Sequence, residues 1–325
     1  MSDRSIDDQL DKYLADLHSI EEQALTQLRR APDIAGDDRL AAVYSQHLAE
    51  TGGQEDRIRR RIEARGADPS TIKDLAGKAG GLGMVAFAQA NPDTPGKLAA
   101  HAYSYEHMEI AAYELLRRAA ERAGDQQTVE VARANLAEEQ DMARRLEECF
   151  DAAVAASLRE LQVEDAEEQL VKYLVDAHAI EQQAGELLRR GPDLVDDDRL
   201  AEVFNQHLRE TEGHAQRIEE RLKMHGAEPS RFQDLAMRGQ AINFGAFFQA
   251  QPDTTAKLAG FAFAFEHLEI AAYEQLRRVA ERAGDHDTVR AADSILAEER
   301  AAADTIAGLW DRAIEAGLAE QGVAG

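Results

Sequence analysis

The chain repeats itself over half its length. The stretch from Tyr13 reappears from Tyr173, an offset of 160, and the register never slips. His18, Glu21, His47, Glu50, Glu106, His107, Glu109, Glu138 and Glu139 recur as His178, Glu181, His207, Glu210, Glu266, His267, Glu269, Glu298 and Glu299. Whole phrases persist as well, EHMEIAAYE against EHLEIAAYE and RLAAVYSQHLAET against RLAEVFNQHLRET. Solenoids are built from units of about 20 to 50 residues, so a repeat this long is a duplicated domain. The 325 residues therefore divide into two copies, 1–160 and 161–325, with the boundary in Leu158 to Asp165. Each is long enough to bury a core of its own.

Composition narrows the fold class. Aromatics make up 6%, prolines number 7, and Ala, Leu, Glu and Arg dominate. Such side chains lose little rotamer freedom in a helix, so the expectation is all-α. With 62 acidic against 37 basic residues the net charge is −25. That charge argues against nucleic acid or an anionic membrane surface as partner and makes metal cations the natural one. No apolar run approaches the roughly 20 residues of a membrane span, and no charged-then-apolar leader is seen, so a cytoplasmic protein is expected. The single cysteine, Cys149, cannot form an internal disulfide or a thiolate metal centre and reads as a small helix residue.

Each copy reads as four long helices. The first runs from about Ile6 to Arg30 and stops before Pro32, because proline disfavours helix in the residue before it. The second begins after Asp37 and Asp38 and fades near Gly66; the third opens at Asp93, Thr94 and Pro95 and closes at Gly124; the fourth runs from about Thr128 to Leu158. A long connection, Ala67 to Asn91, separates the second from the third and contains a short amphipathic piece around Met84 to Ala90. Its length lets the chain cross the bundle, whereas the other connections suit hairpins. Two tandem ferritin-like bundles, each with a crossover between helices two and three, are the expected architecture.

A soluble bundle buries a stripe spaced by three and four residues, and polar residues on it need a reason. On helix one the stripe is Leu14, Leu17, Glu21, Ala24, Leu28, and on helix three Ala99, Ala102, Glu106, Glu109, Tyr113, Leu116. On helix four it is Ala132, Leu136, Glu139, Ala143, Leu146, Phe150, which favours Glu139 over Glu138 while leaving the choice open to helix phase. Helix two offers two edges, Val43, His47, Glu50, Gln54 or Tyr44, Leu48, Thr51, Ile58. The second copy repeats the acids as Glu181, Glu210, Glu266, Glu269 and Glu299.

A buried lone carboxylate costs several kcal/mol or more, and a cluster adds repulsion. Inward arginines would be one remedy, but these stripes carry none. Two divalent cations bridged by carboxylates are another, and oxygen-rich ligation suits iron or manganese. His47, His207, His18 and His178, on helix edges near the acids, read more readily as residues that orient a ligand than as ligands. His107 and His267 point about 100° away, toward a helix interface. Tyr113 and Tyr273 sit one turn past Glu109 and Glu269, where core packing is the ordinary role of an aromatic.

The phrases HSIEEQA, HLAET, YEHMEIAAYE and LAEEQ resemble the YciE/YciF-like family of bacterial ferritin-like stress proteins, along nearly the whole of both copies. The resemblance implies a ferritin-like bundle, a dinuclear metal centre, pairing of bundles and a stress-associated role. The tandem chain could then supply that pairing as an internal pseudo-dimer. Carried over, the ligands are Glu21, Glu50, Glu106, Glu109 and Glu139, and in the second copy Glu181, Glu210, Glu266, Glu269 and Glu299, with two Fe or Mn ions, or one of each, per bundle.

Departures from the pattern matter. Ferritin-like di-iron proteins usually carry histidine three residues after glutamate on helices two and four, whereas Gly53 follows Glu50 and Met142 follows Glu139 at that spacing. The Glu106 and Glu109 pair resembles rubrerythrins, but no four-cysteine iron module accompanies it. Gln54 of the first copy becomes His214 in the second, so the sequence predicts a nitrogen ligand in the second site alone. The leading expectation is a redox role toward dioxygen or peroxide. The alternatives are a protein that sequesters metal or pairs with other helical proteins without turnover, and clusters that are empty and partly protonated.

Overall fold

Ser5 opens the first helix by a reciprocal cap, its hydroxyl accepting from the Asp8 amide at 3.2 Å while its own amide donates to the Asp8 carboxylate at 2.9 Å. The computed structural model describes residues 5–67, 94–159, 165–229 and 254–323. In the first copy the helices are α1 (Ile6–Leu28), α2 (Ala31–Ile34), α3 (Asp38–Ala64), α4 (Thr94–Ala123), α5 (Gln126–Glu147) and α6 (Phe150–Leu158). In the second they are α7 (Asp165–Leu194), α8 (Asp198–Met224), α9 (Thr254–Ala283), α10 (His286–Ala307) and α11 (Trp310–Glu320). Among the described residues there is no strand, and no helix is long and apolar enough to cross a membrane. The chain separates into two compact units, one of Met1–Ser157 with Gln321–Gly325 and the other Leu158–Glu320.

Charged residues at the helix ends fix the topology of the first copy. At the end of α3, Arg61 and Arg65 reach Asp125 at 2.9 and 3.0 Å, and Arg65 also meets Asp7 of α1 at 3.0 Å. At its start, Arg39 meets Glu148, just past α5, at 3.4 Å. A Cβ on Gly36, before α3, would come within 3.0 Å of Pro95 at the start of α4. Helix α3 therefore ends where α4 also ends, and α4 begins at the opposite end of the bundle. The two run parallel, which no hairpin permits and which a ferritin-like bundle requires. The expected crossover lies outside the described residues beyond Ala67.

Caps and turns fall where the side chains dictate. Asp37 accepts from the amides of Arg39 and Leu40, at 2.9 and 3.1 Å, and so starts α3. Gly124, at φ 70°, closes α4 while the Asp125 amide reaches back to the Ala120 carbonyl at 3.0 Å, a conformation that a Cβ would strain.

Two expectations need correction. The fourth helix is not continuous to Leu158: a tight i to i+3 bond from the Cys149 amide to the Leu146 carbonyl at 2.9 Å breaks it, and Leu309 to Ile306 does the same in the second copy at 2.9 Å. The break turns Phe150 and Trp310 onto Tyr103 and Phe263, each pair 5.3 Å apart edge to face. Nor does proline end both first helices. α1 stops at Leu28 with Pro32 in the first turn of α2, whereas α7 runs on through Pro192 to Leu194. So close to a helix end the lost amide costs a single bond.

Candidate metal centres

The apolar stripes deliver their acids to the bundle interior. Glu21, Glu109 and Glu139 are wholly buried, with Glu106 almost so, and Glu181, Glu266, Glu269 and Glu299 repeat the pattern. On α3 the buried line is Leu40, Tyr44, His47, Thr51, Gln54, Ile58, Ile62. It takes Gln54 and His47 from one of the two candidate edges and Tyr44 and Thr51 from the other. Glu50 is left at the rim.

Four residues from three helices converge in each copy. His47, Glu106, Glu109 and Glu139 offer ligand atoms all within 4.8 Å of one another, as do His207, Glu266, Glu269 and Glu299. Two atoms bound to one small divalent cation at about 2.1 Å lie no more than about 4.2 Å apart, so sets of this spread need little adjustment to grip one. His47 Nε2 stands 3.0 Å from Glu106 and 3.8 Å from Glu139; His207 Nε2 stands 2.8 Å from Glu266 and 3.2 Å from Glu299. The histidine expected to orient a ligand thus stands among the candidate ligands, and the first copy does not lack a nitrogen donor. Its signal was the spacing: stepping back from Ile62 and Ile58 by three and four reaches Gln54, Thr51 and His47.

The second copy has a further group, Glu181, His214 and Glu299. Glu299 belongs to both. One of its oxygens is 2.6 Å from His214 Nδ1 and the other 3.2 Å from His207 Nε2. In the first copy the corresponding residues are Glu21, Gln54 and Glu139, and both side-chain polar atoms of the buried Gln54 lack a hydrogen-bond partner. The difference read between Gln54 and His214 therefore concerns this second group alone.

Neighbours fix these side chains in place. His214 Nε2 lies 2.9 Å from Glu298, which Arg217 holds at 2.8 Å, so the carboxylate favours the proton on Nε2 and turns Nδ1 toward Glu299 and Glu181. This settles the placement on the fourth helix: Glu139 and Glu299 face inward, while Glu138 and Glu298 bond to Arg57 and Arg217. Tyr113 donates to Glu21, and Tyr273 to Glu181. These phenols bond a carboxylate as well as packing the core. Asn135 donates to the Tyr113 oxygen at 2.7 Å, a bond Ile295 cannot repeat.

Some expected ligands stand elsewhere. Arg145 binds Glu50 at 2.6 Å and draws it away from the acid cluster. In the second copy Thr305 replaces that arginine, and Glu210 lies 3.1 Å from His207 Nδ1. His18, read as a residue that orients a ligand, pairs with Glu55 at 3.3 Å, and His107, read as facing a helix interface and not as a ligand, lies 2.7 Å from the Tyr103 carbonyl.

Electrostatics expose the strain of an acid cluster. Burial pushes Glu21 up to about 8, and burial with the charges of Glu21 and Glu106 raises Glu109 well above the usual carboxylate range. Burial likewise raises Glu266 to about 7 and Glu269 far above the usual range. Burial opposes charge on Glu299 too, but His207 and His214 hold it down to about 2. His47, against its own burial, is drawn up to about 9 by Glu106 and Glu50. Both oxygens of Glu109 and of Glu269 lack any hydrogen-bond partner. Buried carboxylate oxygens are seldom left so, and the donor set of carboxylates with imidazole fits a hard or borderline divalent cation.

Residues 5–159 and again 165–319 match the family described as Domain of unknown function (DUF892). The chain belongs to this family. It is a tandem DUF892 protein of the YciE/YciF-like kind, with the domain duplicated. Protein YciF of Escherichia coli (strain K12) is 28% identical over 147 residues, covering 43% of this chain and 86% of YciF, about the span of one DUF892 copy. No solved structure matches. Both DUF892 copies carry buried His/Glu groups compatible with metal binding.

Proposed function

We propose that each copy is a dinuclear carboxylate centre holding two iron or manganese ions and reacting with dioxygen or peroxide in stress protection. The observation that carries this reading is the position of Glu299, shared between two groups of buried ligands. His207, Glu266, Glu269 and Glu299 would hold one ion, and Glu181, His214 and Glu299 the other. In the first copy His47, Glu106, Glu109 and Glu139 would hold the first ion, with Glu21, Glu139 and the Gln54 amide left for the second. The four buried acids of each copy balance the charge of two divalent ions, which relieves the burial cost and the repulsion that raise Glu109 and Glu269 above the usual carboxylate range.

When bound, the metals would supply the electrons and Lewis acidity that reduction of dioxygen or peroxide needs. The chain's own residues do the rest. The Tyr113 and Tyr273 hydroxyls hold Glu21 and Glu181 by one oxygen each, leaving the other to turn inward. Glu298 orients His214. Burial keeps bulk water from the acids, which strengthens every charge interaction among them.

Elemental analysis of the purified chain tests the first half of the reading. Iron or manganese is expected, with Glu106→Ala and Glu266→Ala each removing the metal of one copy. A chain that takes up no metal from either ion overturns the proposal in favour of empty, partly protonated clusters. Mixing the reduced metal form with dioxygen or peroxide tests the second half. A change in near-ultraviolet absorbance that recurs on each cycle of reduction supports redox turnover, and metal retained without any change leaves sequestration.

A further inference from the structure

The two copies differ sharply on one side of their acid clusters. In the second, a cavity is lined by Ala184, Leu187, Leu188, Gly191, Phe204, Leu258, Phe261, Ala262 and Phe265, and among the described residues its one polar lining group is Glu266. Glu266 belongs to the His207 group of candidate ligands. The cavity thus adjoins the proposed centre through apolar walls alone. Leu187, Phe261 and Ala262 are only partly buried and form its outer end.

The first copy carries polar groups at the same places. Leu187, Phe204, Phe261 and Phe265 stand where the first copy has Gln27, Tyr44, His101 and Tyr105. The Tyr105 hydroxyl donates to the Ile20 carbonyl at 2.9 Å, and the Tyr44 hydroxyl is buried within reach of the charge on Glu106. Gly191 replaces Ala31, and a Cβ there would come within 2.8 Å of the Phe204 ring. Removing that methyl gives the ring room. Four exchanges from polar to apolar around one space, with a fifth that fits the ring, mark a surface built to exclude water.

Size selects the occupant. The cavity has a volume of about 20 Å³, where a single water needs roughly 10–15 Å³ and a dry apolar cavity takes small apolar guests in place of water. A diatomic gas fits without displacing a side chain, and an acyl chain does not. Peroxide would have to give up its hydrogen bonds to enter, which an apolar wall cannot replace.

We infer that the second copy admits dioxygen to its centre through this cavity, and that the first copy does not. The inference rests on the reading of the acid clusters as metal centres and names the oxidant of one of them. The two copies then divide the work: the second reacts with dioxygen, and the first is left to polar oxidants or to metal holding.

Xenon, an apolar probe of similar size, tests the cavity without metal. In crystals of the full metal-free chain under xenon pressure, anomalous scattering is expected to show one xenon against Phe204, Leu258 and Phe265, and none beside Glu106. Ala262→Leu, at the outer end, should abolish that site. The exchange F204Y/F261H/F265Y, which installs the first-copy residues, should abolish it too, with circular dichroism reporting whether this variant folds. Xenon in neither copy, xenon in both, or a cavity filled by the chain itself would overturn the inference while leaving the metal reading intact. With iron loaded, Ala262→Leu should slow oxidation by dioxygen several-fold and leave oxidation by peroxide unchanged; equal slowing of both would also overturn it. A xenon site in a chain that binds no metal would instead sink the metal reading.

Discussion

His214 Nδ1 lies 2.6 Å from Glu299 Oε1, whereas the residues at the same places in the first copy, Gln54 and Glu139, make no hydrogen bond to each other. This substitution distinguishes the Glu181, His214 and Glu299 group from its counterpart in the first copy. An imidazole nitrogen binds a divalent cation far better than an amide does.

The second copy should therefore hold its second ion more tightly. With the other centre disabled by Glu106→Ala or Glu266→Ala, chelator titration should strip the second ion from the first copy at about 10-fold lower chelator or less, in line with the 10- to 100-fold effects of altering the surroundings of a metal. Gln54→His should narrow the gap and His214→Gln should close it from the other side. Identical titrations for wild type and both variants would count against a metal role for His214.

Glu50 is held by Arg145 and by His47, and the bond from His47 leads in drawing its carboxyl down to about 2. Glu50→Gln should leave metal content nearly unchanged and cost no more than about 1 kcal/mol, the range of partly exposed ion pairs. Glu106→Gln, on the buried face, should lower metal content strongly. Elemental analysis of the two variants side by side decides the matter, and equal losses would return Glu50 to the ligand set.

Tyr113 joins Asn135 to Glu21 inside the first bundle, one hydroxyl accepting from the amide and donating to the carboxylate. Tyr113→Phe leaves both partners buried without it, so urea unfolding should show a loss of about 1–3 kcal/mol. Tyr273→Phe should cost less, because Ile295 makes no such bond and only Glu181 loses a partner. The reverse order would mean that the first network contributes little.

Asp125 sits at the junction of three helices, capping α5 and pairing with Arg61 and Arg65. Burial works against its charge, but Thr128 and Arg61 hold its carboxyl down to about 2, below the ordinary 3.8. A depressed folded value means that the carboxylate stabilises fully above pH of about 3.8, the unfolded value, and that this contribution fades as pH falls toward 2. Asp125→Asn should flatten that acid limb of the stability profile without shifting the neutral plateau's slope, as urea midpoints across pH would show. An unchanged acid limb would remove Asp125 from the account.

Much of the interior was legible because helical periodicity is strict. Glu21, Glu106, Glu109 and Glu139 fell on lines of alanine and leucine that can only face inward, and the choice of Glu139 over Glu138 followed from the same spacing. The second helix resisted because its two edges differ by a rotation of one residue and both carry apolar groups. Glu50 lost its inward place, and His47 gained one, through that ambiguity. The break at Cys149 carries no proline or glycine in the first copy, so nothing in the local sequence announced it.

The sequence by itself determined the duplication, the all-helical class and the inward acids, because these follow from self-comparison and from residue spacing along one helix. Tertiary structure decided which of those acids meet, since convergence depends on how four helices are phased about a common axis. It alone placed Arg145 on Glu50, His47 among the acids and Glu299 between two histidines. Those contacts join residues about 90 positions apart in the chain, a distance over which no periodicity carries information.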